Sequence, residues 1–230
     1  MNQPRAILVV VSSHDRMGES GKPTGYWLGE VTHFHEPLAE QGFEIDVVSP
    51  KGGKAPVDPK SLSSRDKVSA AFQADRSLGH KLDETMTPEQ VDADAYEAIY
   101  YAGGHGAMWD LADNEALAGL AAHMHESGKP VAAVCHGSAA LLNIVSGGRN
   151  LIEGRRVSGF ANVEERLIRL AKVVPFLLED ELRARGGEFR KARLPFVPHV
   201  VSDARIISGQ NPQSARAVGE TLAQTLSRRA

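Results

Sequence analysis

The chain contains a single cysteine, Cys135, and His136 follows it directly. The residues two positions before and two positions after the cysteine are Ala133 and Gly137, which are both small. A nucleophile on a sharp strand-to-helix turn needs small residues at these positions, because larger side chains would collide there. A cysteine without such neighbours is more often a buried core residue. On spacing alone the two interpretations, nucleophile and core residue, are balanced.

A second turn of chemical interest has the sequence Gly-Gly-His-Gly at residues 103–106 and follows a strand-like segment. Taken alone, this turn is a weak signal. Its backbone N–H groups, together with those after Cys135, can stabilise the oxyanion that forms when a thiolate attacks a carbonyl group. Gly104 and His105 are the candidate donors. A sulfur at the amino end of a helix is also favoured as the thiolate, so the pattern predicts a reactive thiol of low pKa.

The elements around these turns alternate between strand-like and helix-like patterns. Strands are predicted at residues 6–11, 44–49, 96–101, 131–134, 156–160, 199–202 and 205–208, and helices at 26–41, 114–127, 137–145, 175–185 and 212–226. Such alternation predicts an α/β fold with an open, doubly wound, mostly parallel sheet and helices on both faces. Ligands bind beyond the carboxyl ends of the strands in such sheets, and Cys135 lies at one of these ends.

Length and composition favour one domain. With 230 residues, 42% hydrophobic and 24% charged, the chain can form a single domain over residues 1–230. Two excursions from the alternating pattern are expected, at about 51–95 and 160–195. The first includes Thr87, which with Pro88 and Gln90 has the pattern of a helix start.

Charge and hydropathy argue against several classes of partner. The formal net charge of −3 gives no electrostatic reason to expect nucleic acid or an acidic membrane surface. The longest apolar run, residues 6–11, is far shorter than the roughly 20 residues of a membrane-spanning helix. The opening residues lack a leader pattern, and one cysteine cannot form an internal disulfide, so a cytoplasmic location is expected.

Several segments, in consistent order along nearly the whole chain, resemble the ThiJ/PfpI superfamily. These segments are residues 12–18, 24–30, 58–61, 102–110, 133–137, 173–179 and 208–214. The superfamily has the flavodoxin-like, class I glutamine amidotransferase-like fold and includes the parkinsonism-associated deglycase. Within it, the chain looks closest to the branch of heat-shock chaperone-like glyoxalase III proteins.

The resemblance implies roles for particular residues. It makes Cys135 the nucleophile, His136 its proton-transfer partner and Glu30 a carboxyl group beside the sulfur. A third acid belongs to the segment 158–165, where Glu165 is favoured over Glu164. Without the resemblance, all three glutamates would be interpreted as solvated acids on helices, because acids are mostly exposed.

The resemblance also implies an activity. The expected enzyme is a cysteine-dependent glyoxalase III, a lyase of the lactate dehydratase type. It would convert methylglyoxal or similar 2-oxoaldehydes to hydroxy acids through a hemithioacetal on Cys135, without glutathione or any cofactor. The alternatives are a holding chaperone or protein deglycase acting on unfolded or glycated proteins, and a cysteine hydrolase or hydratase. A homodimer is expected.

Closely spaced histidines raise the question of a metal. His33 and His35 are two residues apart in a predicted helix, as are His123 and His125. Helix residues at this spacing do not face each other, so neither pair has the geometry of a shared site. No metal is therefore expected, although relatives of the chaperone type can carry one.

Overall fold

The computed structural model describes residues 5–62 and 65–228. Residues 1–4, on which the expectation about a leader pattern partly rests, lie outside the described residues. Six strands form the central sheet: β1 Arg5–Val10, β2 Phe43–Val48, β3 Tyr96–Tyr101, β4 Val131–Val134, β5 Val200–Asp203 and β6 Ile206–Gly209. Their order is β5-β6-β4-β3-β1-β2, and every neighbouring pair is parallel except β5 with β6. The predicted mostly parallel sheet is confirmed.

Within residues 5–62 and 65–228, eight α-helices accompany the sheet: α1 Leu28–Ala39, α2 Lys67–Ala74, α3 Arg76–Asp83, α4 Ala107–Asp110, α5 Glu115–Glu126, α6 Asn162–Leu167, α7 Leu178–Ala184 and α8 Ala215–Ser227. Short 3₁₀ helices are found at Gly18–Ser20, Pro59–Ser61, Pro88–Gln90, Ala93–Ala95, Cys135–Leu142 and Pro212–Ser214. Among the described residues, no helix combines the length and the apolar character needed to cross a membrane.

Two consecutive tyrosines on β3 show that helices cover both faces of the sheet. The hydroxyl of Tyr100 donates to the carbonyl of Glu30 in α1, at 2.8 Å. The hydroxyl of Tyr101 donates to the carbonyl of Leu117 in α5, at 2.9 Å. Because successive side chains of a strand point to opposite faces, α1 and α5 lie on opposite sides of the sheet. The sheet is therefore doubly wound, as predicted.

In the part of the chain that the structure describes, three pairs of two-residue strands lie outside the central sheet. They are Arg16–Met17 with Lys22–Pro23, Val145–Ser146 with Arg149–Asn150, and Arg156–Val157 with Glu188–Phe189. The strand predicted at 156–160 is therefore shorter than expected and does not join the main sheet. Its partner comes from the segment after α7, and local sequence gives no signal for such a distant pairing.

The helix predicted at 137–145 is also wrong. Residues Cys135–Leu142 form a 3₁₀ helix in which every residue is buried. Gly137 lies so close to β3 that a β-carbon there would be 2.3 Å from the carbonyl oxygen of Tyr101. Tight packing on all sides selects the narrower helix here, although 3₁₀ segments of this length are uncommon.

The two predicted excursions contain helices that pack on the rest of the chain. The first carries α2 and α3, and Ser69 of α2 shares a hydrogen bond of 2.8 Å with Thr32 of α1. The helix start predicted at Thr87 is a single 3₁₀ turn, capped by Gln90. The second carries α6 and α7. Both excursions contribute buried apolar side chains to the core, among them Phe72, Leu82, Leu178, Leu182 and Phe189.

Candidate active site

Cys135 lies directly after β4, at the carboxyl edge of the sheet, and its side chain is buried. Its φ angle is 55°, a left-handed conformation that is uncommon for residues other than glycine. Backbone strain of this kind concentrates at functional sites, where the surrounding structure holds it in place. The predicted strained turn with a small residue at position 137 is thus present.

A chain of hydrogen bonds connects this thiol to a buried carboxylate. The Sγ atom of Cys135 lies 3.3 Å from Nδ1 of His136. Nε2 of His136 lies 2.7 Å from Oε2 of Glu165, a residue in the first turn of α6. The other carboxylate oxygen, Oε1, lies 3.1 Å from Nε2 of His105. One carboxylate therefore holds two imidazoles, and one of these faces the sulfur.

Glu164, the alternative to Glu165 in the sequence, makes its hydrogen bonds to groups outside the thiol chain. Its Oε2 accepts a hydrogen bond from the backbone N–H of Ala161, at 3.0 Å, which caps α6. Its Oε1 accepts from the backbone N–H of Phe196, at 2.7 Å, and from Nδ2 of Asn211, at 2.9 Å. Glu164 therefore connects the start of α6 to two distant loops, whereas Glu165 contacts the histidines.

Glu30 projects from the first turn of α1 and is fully buried. Its Oε2 accepts a hydrogen bond from the backbone N–H of Gly103, at 2.6 Å. The carboxyl group interacts with the thiol of Cys135, and its Oε1 is a buried atom without a hydrogen-bond partner in the described part of the chain. Gly103 must lack a side chain, because a β-carbon there would be 2.7 Å from Oε2 of Glu30 and 2.9 Å from the backbone nitrogen of His136.

The pKa values of Glu30 and Cys135 both rise. Burial raises the pKa of Glu30 to about 8, although the N–H of Gly103 opposes the rise. Burial also raises the pKa of the Cys135 thiol, and the neighbouring Glu30 carboxyl adds to this effect. The expectation of a low pKa for the Cys135 thiol is therefore wrong. Two adjacent buried acids resist ionising together, and no α-helix follows the sulfur to offset its burial.

Glu165 and His136 are shifted in the opposite direction. Burial opposes ionisation of Glu165, but the two imidazoles outweigh it and hold the pKa of this carboxyl at about 2. Burial lowers the pKa of His136, and His105 lowers it further, while Glu165 opposes the change. At neutral pH the site therefore contains an ionised Glu165 beside a neutral His136. Neutral His136 is suited to accept the proton of the thiol.

These groups open onto a small cavity of about 150 Å³. Its lining residues are mostly apolar or aromatic, with the thiol and the two imidazoles on one side: Trp27, Gly104, His105, Cys135, His136, Phe160, Ile168, Phe196, Pro212 and Gln213. A cavity of this size suits a small molecule, and its mostly apolar lining strengthens electrostatic interactions inside it. The predicted oxyanion donors Gly104 and His105 both line it.

One group of side chains has the composition of a metal site. Donor atoms of His105, His136 and Glu165 all lie within 4.8 Å of one another, and two histidines with a glutamate is a known zinc ligand set. In the structure, both Nε2 atoms are instead hydrogen-bonded to the carboxylate. The histidine pairs noted in the sequence contact separate partners, namely Asp66 for His33, Phe72 for His35, Asp94 for His123 and Ser146 for His125.

Comparison with known proteins identifies the family. Residues 25–225 match the DJ-1/PfpI family. The chain belongs to the DJ-1/PfpI family. Glutathione-independent glyoxalase HSP31 of Saccharomyces cerevisiae is 29% identical over 226 residues, which are 94% of this chain and 94% of the relative. Glyoxalase 3 of Candida albicans is 26% identical over 233 residues, 95% of this chain and 96% of the relative.

Solved structures of the DJ-1/PfpI fold agree with this assignment. Rapid Encystment Protein 24 KDa of Francisella tularensis superposes with a TM-score of 0.93 at 38% identity, covering 96% of this chain and 99% of that chain. Glyoxalase III of Candida albicans superposes with a TM-score of 0.89 at 24% identity, covering 96% of each chain. The predicted superfamily and fold are thereby confirmed.

Sequence reasoning missed two features of this DJ-1/PfpI site. It gave His105 a role through its backbone and did not predict the contact between its side chain and Glu165. It also missed the aromatic cavity walls. Trp27 and Phe160 precede Glu30 and Glu165 closely in sequence, and that proximity is a usable signal. Phe196 comes from a loop between short strands, and nothing in its local sequence indicates the cavity.

Proposed function

We propose that this DJ-1/PfpI protein is a glutathione-independent glyoxalase that converts methylglyoxal or a similar small 2-oxoaldehyde to a 2-hydroxy acid. The observation that carries the proposal is the hydrogen-bonded chain from Cys135 through His136 to Glu165, with distances of 3.3 and 2.7 Å. This chain opens into a cavity sized for a small carbonyl compound. Relatives named glutathione-independent glyoxalase and glyoxalase 3, similar over nearly their whole length, support the same activity.

The first step of the proposed reaction is addition of the sulfur to the aldehyde carbon. Nδ1 of His136 takes the thiol proton as the bond forms, since the thiol is not ionised at rest. Backbone N–H groups of Gly104 and His105 stabilise the developing oxyanion. Return of the proton to that oxygen gives a neutral hemithioacetal, so the protein ends this step with the charge it had at the start.

The second step is isomerisation of the hemithioacetal. Nδ1 of His136, neutral again, removes the proton from the carbon bonded to sulfur and returns it to the neighbouring carbon through an enediol. The product is a thioester of the 2-hydroxy acid on Cys135, which water hydrolyses. Glu165 fixes the orientation of His136, and no cofactor participates in any step.

Glu30 has a separate role in this proposal. With a pKa of about 8, its carboxyl group remains mostly protonated at neutral pH. A protonated carboxyl beside the sulfur donates a hydrogen bond to the thiolate as it forms, and a negatively charged one would repel it. The unusual protonation of Glu30 therefore supports thiolate chemistry even though the resting thiol has a raised pKa.

The decisive experiment measures lactate formed from methylglyoxal without added thiols, for the wild type and for Cys135→Ala and Cys135→Ser. Turnover by both variants is expected to fall by at least about 10³-fold, because neither has the sulfur on which the hemithioacetal forms. Circular dichroism and the urea midpoint serve as controls for folding. Turnover by Cys135→Ala at the wild-type rate would disprove the proposal. A panel of other carbon electrophiles separates glyoxalase activity from that of a cysteine hydrolase or hydratase.

A second candidate function, holding of unfolded chains, has an observation of its own. Exposed apolar side chains occur on α6 and its carboxyl end and on the loop before β5, namely Val163, Leu167, Ile168, Leu194, Phe196 and Val197. Apolar surface of this kind is typical of sites that bind other proteins. Suppression of aggregation by Cys135→Ala, with negligible turnover in the wild type, would favour this function. Action on glycated proteins and a homodimeric assembly remain proposals from family resemblance, and a cytoplasmic location remains a proposal from the sequence.

A further inference from the structure

The side chain of His105 has no role in the mechanism so far, yet it is built into the site. Its Nε2 lies 3.1 Å from Oε1 of Glu165. Its ring centroid is 4.1 Å from that of His136. The side chain of His105 is 9% exposed and lines the cavity, whereas that of His136 is 1% exposed. Of the two imidazoles, His105 therefore has the greater access to a bound substrate.

Glu165 determines which ring nitrogens carry protons. Its pKa of about 2 keeps it ionised, so both of its oxygens act only as hydrogen-bond acceptors. Each Nε2 that faces it must then be the donor. In their neutral forms, His105 and His136 consequently both present an unprotonated Nδ1, which is the atom free to act as a base. Nδ1 of His136 faces the sulfur.

The isomerisation proposed above moves two protons, not one. The carbon bonded to sulfur loses a proton and the neighbouring carbon gains one. At the same time the hydroxyl on the first carbon becomes a carbonyl, while the carbonyl on the second carbon becomes a hydroxyl. A base that serves the carbons cannot also serve the oxygens during the same step, so a second acid–base group is required.

We infer that His105 is this second group and that its Nδ1 carries a proton between the two oxygens of the substrate. The inference rests on the proposed function. Nδ1 of His105 accepts the proton of the hemithioacetal hydroxyl and delivers it to the oxygen of the adjacent carbonyl. Nδ1 of His136 moves the carbon-bound proton in the same direction. The first carbon and its oxygen each lose one proton, and the second carbon and its oxygen each gain one. Both imidazoles therefore end neutral, and no oxidant or reductant is needed.

The shared carboxylate explains how two adjacent imidazoles can do this. A positive charge on His105 lowers the pKa of His136, so the two rings resist being charged together. The ionised Glu165 between them stabilises whichever ring holds the extra proton. Glu165 therefore offsets the repulsion between the two rings and serves both transfers from a fixed position.

The test compares two properties of His105→Gln and of His105→Asn. Turnover of methylglyoxal reports the complete reaction, and the rate of alkylation by iodoacetamide reports the thiol and His136 alone. Because the chain has one cysteine, mass spectrometry detects a single alkylated product. His123→Gln, an exposed histidine on α5 that is paired with Asp94, is the matched control. Rates are compared only for variants that fold as the wild type does. Two amide variants are made so that misfolding of one does not prevent the test.

The expected result is a split between the two measurements. His105→Gln keeps a side-chain N–H for Glu165 but cannot take up a proton, so alkylation remains within about threefold of wild type while kcat falls by about 10²-fold or more. Retention of kcat in a folded amide variant would overturn the inference. Parallel loss of alkylation and kcat would also overturn it, because His105 would then act only by positioning His136. A wild type that is alkylated but forms no lactate would instead disprove the proposed function, and this inference with it.

Discussion

Glu30 is the residue whose protonation most strongly connects stability to chemistry. Its folded-state pKa is about 8, against an ordinary value of 4.5, so the folded protein holds this proton more tightly than the unfolded chain does. The stabilisation is complete below pH 4.5 and is lost as pH rises to 8. Each unit of the shift corresponds to about 1.4 kcal/mol of unfolding free energy. Wild-type stability should therefore fall across this pH range.

The variant Glu30→Gln tests this because it keeps the shape of the side chain but cannot ionise. Between pH 5 and pH 8, its free energy of unfolding should rise relative to that of the wild type, by an amount on the order of a few kcal/mol. Urea titrations at several pH values measure the difference. Glu40→Gln, an exposed glutamate just after α1, is the control. Parallel pH profiles for wild type and Glu30→Gln would contradict the raised pKa.

At the residue scale, the sequence predicted those features of the site that depend on residues close together along the chain. Cys135 and the small Gly137 are two positions apart on the chain, so the strained turn was visible from their spacing. The proximity of Glu30 to the thiol depends on helix α1 meeting the turn after β3, and resemblance alone predicted it. The direction of the thiol pKa was wrong because burial of the sulfur is a tertiary property that local sequence does not contain.

At the scale of elements, α6 places two glutamates with different tasks side by side. Glu164 accepts three hydrogen bonds, from Ala161, Phe196 and Asn211. Glu165 holds the two imidazoles. Neighbouring residues on a helix point in different directions, so one short helix both joins distant loops and orients the proposed base.

Substitutions of these neighbours should separate stability from activity. Glu164→Ala leaves three donors without acceptors and should lower the free energy of unfolding by about 3 kcal/mol or more. Glu165→Gln keeps the shape and should unfold near the wild-type urea midpoint, yet its kcat should fall by about 10²-fold or more, because it no longer stabilises a charged imidazole. Urea titrations and lactate assays on both proteins provide the comparison. The reversed pattern would mean that Glu164 is the third acid.

Strands were predictable as elements, and their arrangement was not. The apolar runs that form β1, β3 and β4 are local signals, and their predicted limits differ from the observed ones by no more than one residue. The order of the sheet and the distant pairing of Arg156–Val157 with Glu188–Phe189 depend on contacts between remote segments. The 3₁₀ helix after Cys135 likewise reflects burial on every side, which overrides the helical pattern.

At the scale of the whole molecule, the cavity is assembled from segments far apart in sequence. Its walls come from the segment before α1, the turns after β3 and β4, the residues flanking α6, and the loops before β5 and before α8. Its volume of about 150 Å³ is below the roughly 300 Å³ at which pockets begin to hold drug-sized ligands. The folded chain therefore forms a cavity suited to small molecules, through contacts that no single segment provides.

This size limit predicts a preference between two substrates that carry the same reactive group. Phenylglyoxal has an aromatic ring where methylglyoxal has a methyl group, and the ring must compete for space with Phe160 and Phe196, whose ring centroids are 6.4 Å apart. The wild type should have a kcat/KM at least about tenfold lower for phenylglyoxal than for methylglyoxal. Phe196→Ala removes one wall of the cavity. The ratio of kcat/KM for methylglyoxal to kcat/KM for phenylglyoxal should therefore be smaller in this variant than in the wild type.

The matched control for Phe196→Ala is Leu194→Ala. Leu194 belongs to the same loop and is 67% exposed, but it does not line the cavity. Its replacement removes apolar surface without changing cavity volume, so the substrate ratio should stay at the wild-type value. The backbone N–H of Phe196 that donates to Glu164 is retained in alanine, which keeps the loop attached to α6. If both variants changed the ratio equally, loop mobility and not cavity size would control access to Cys135.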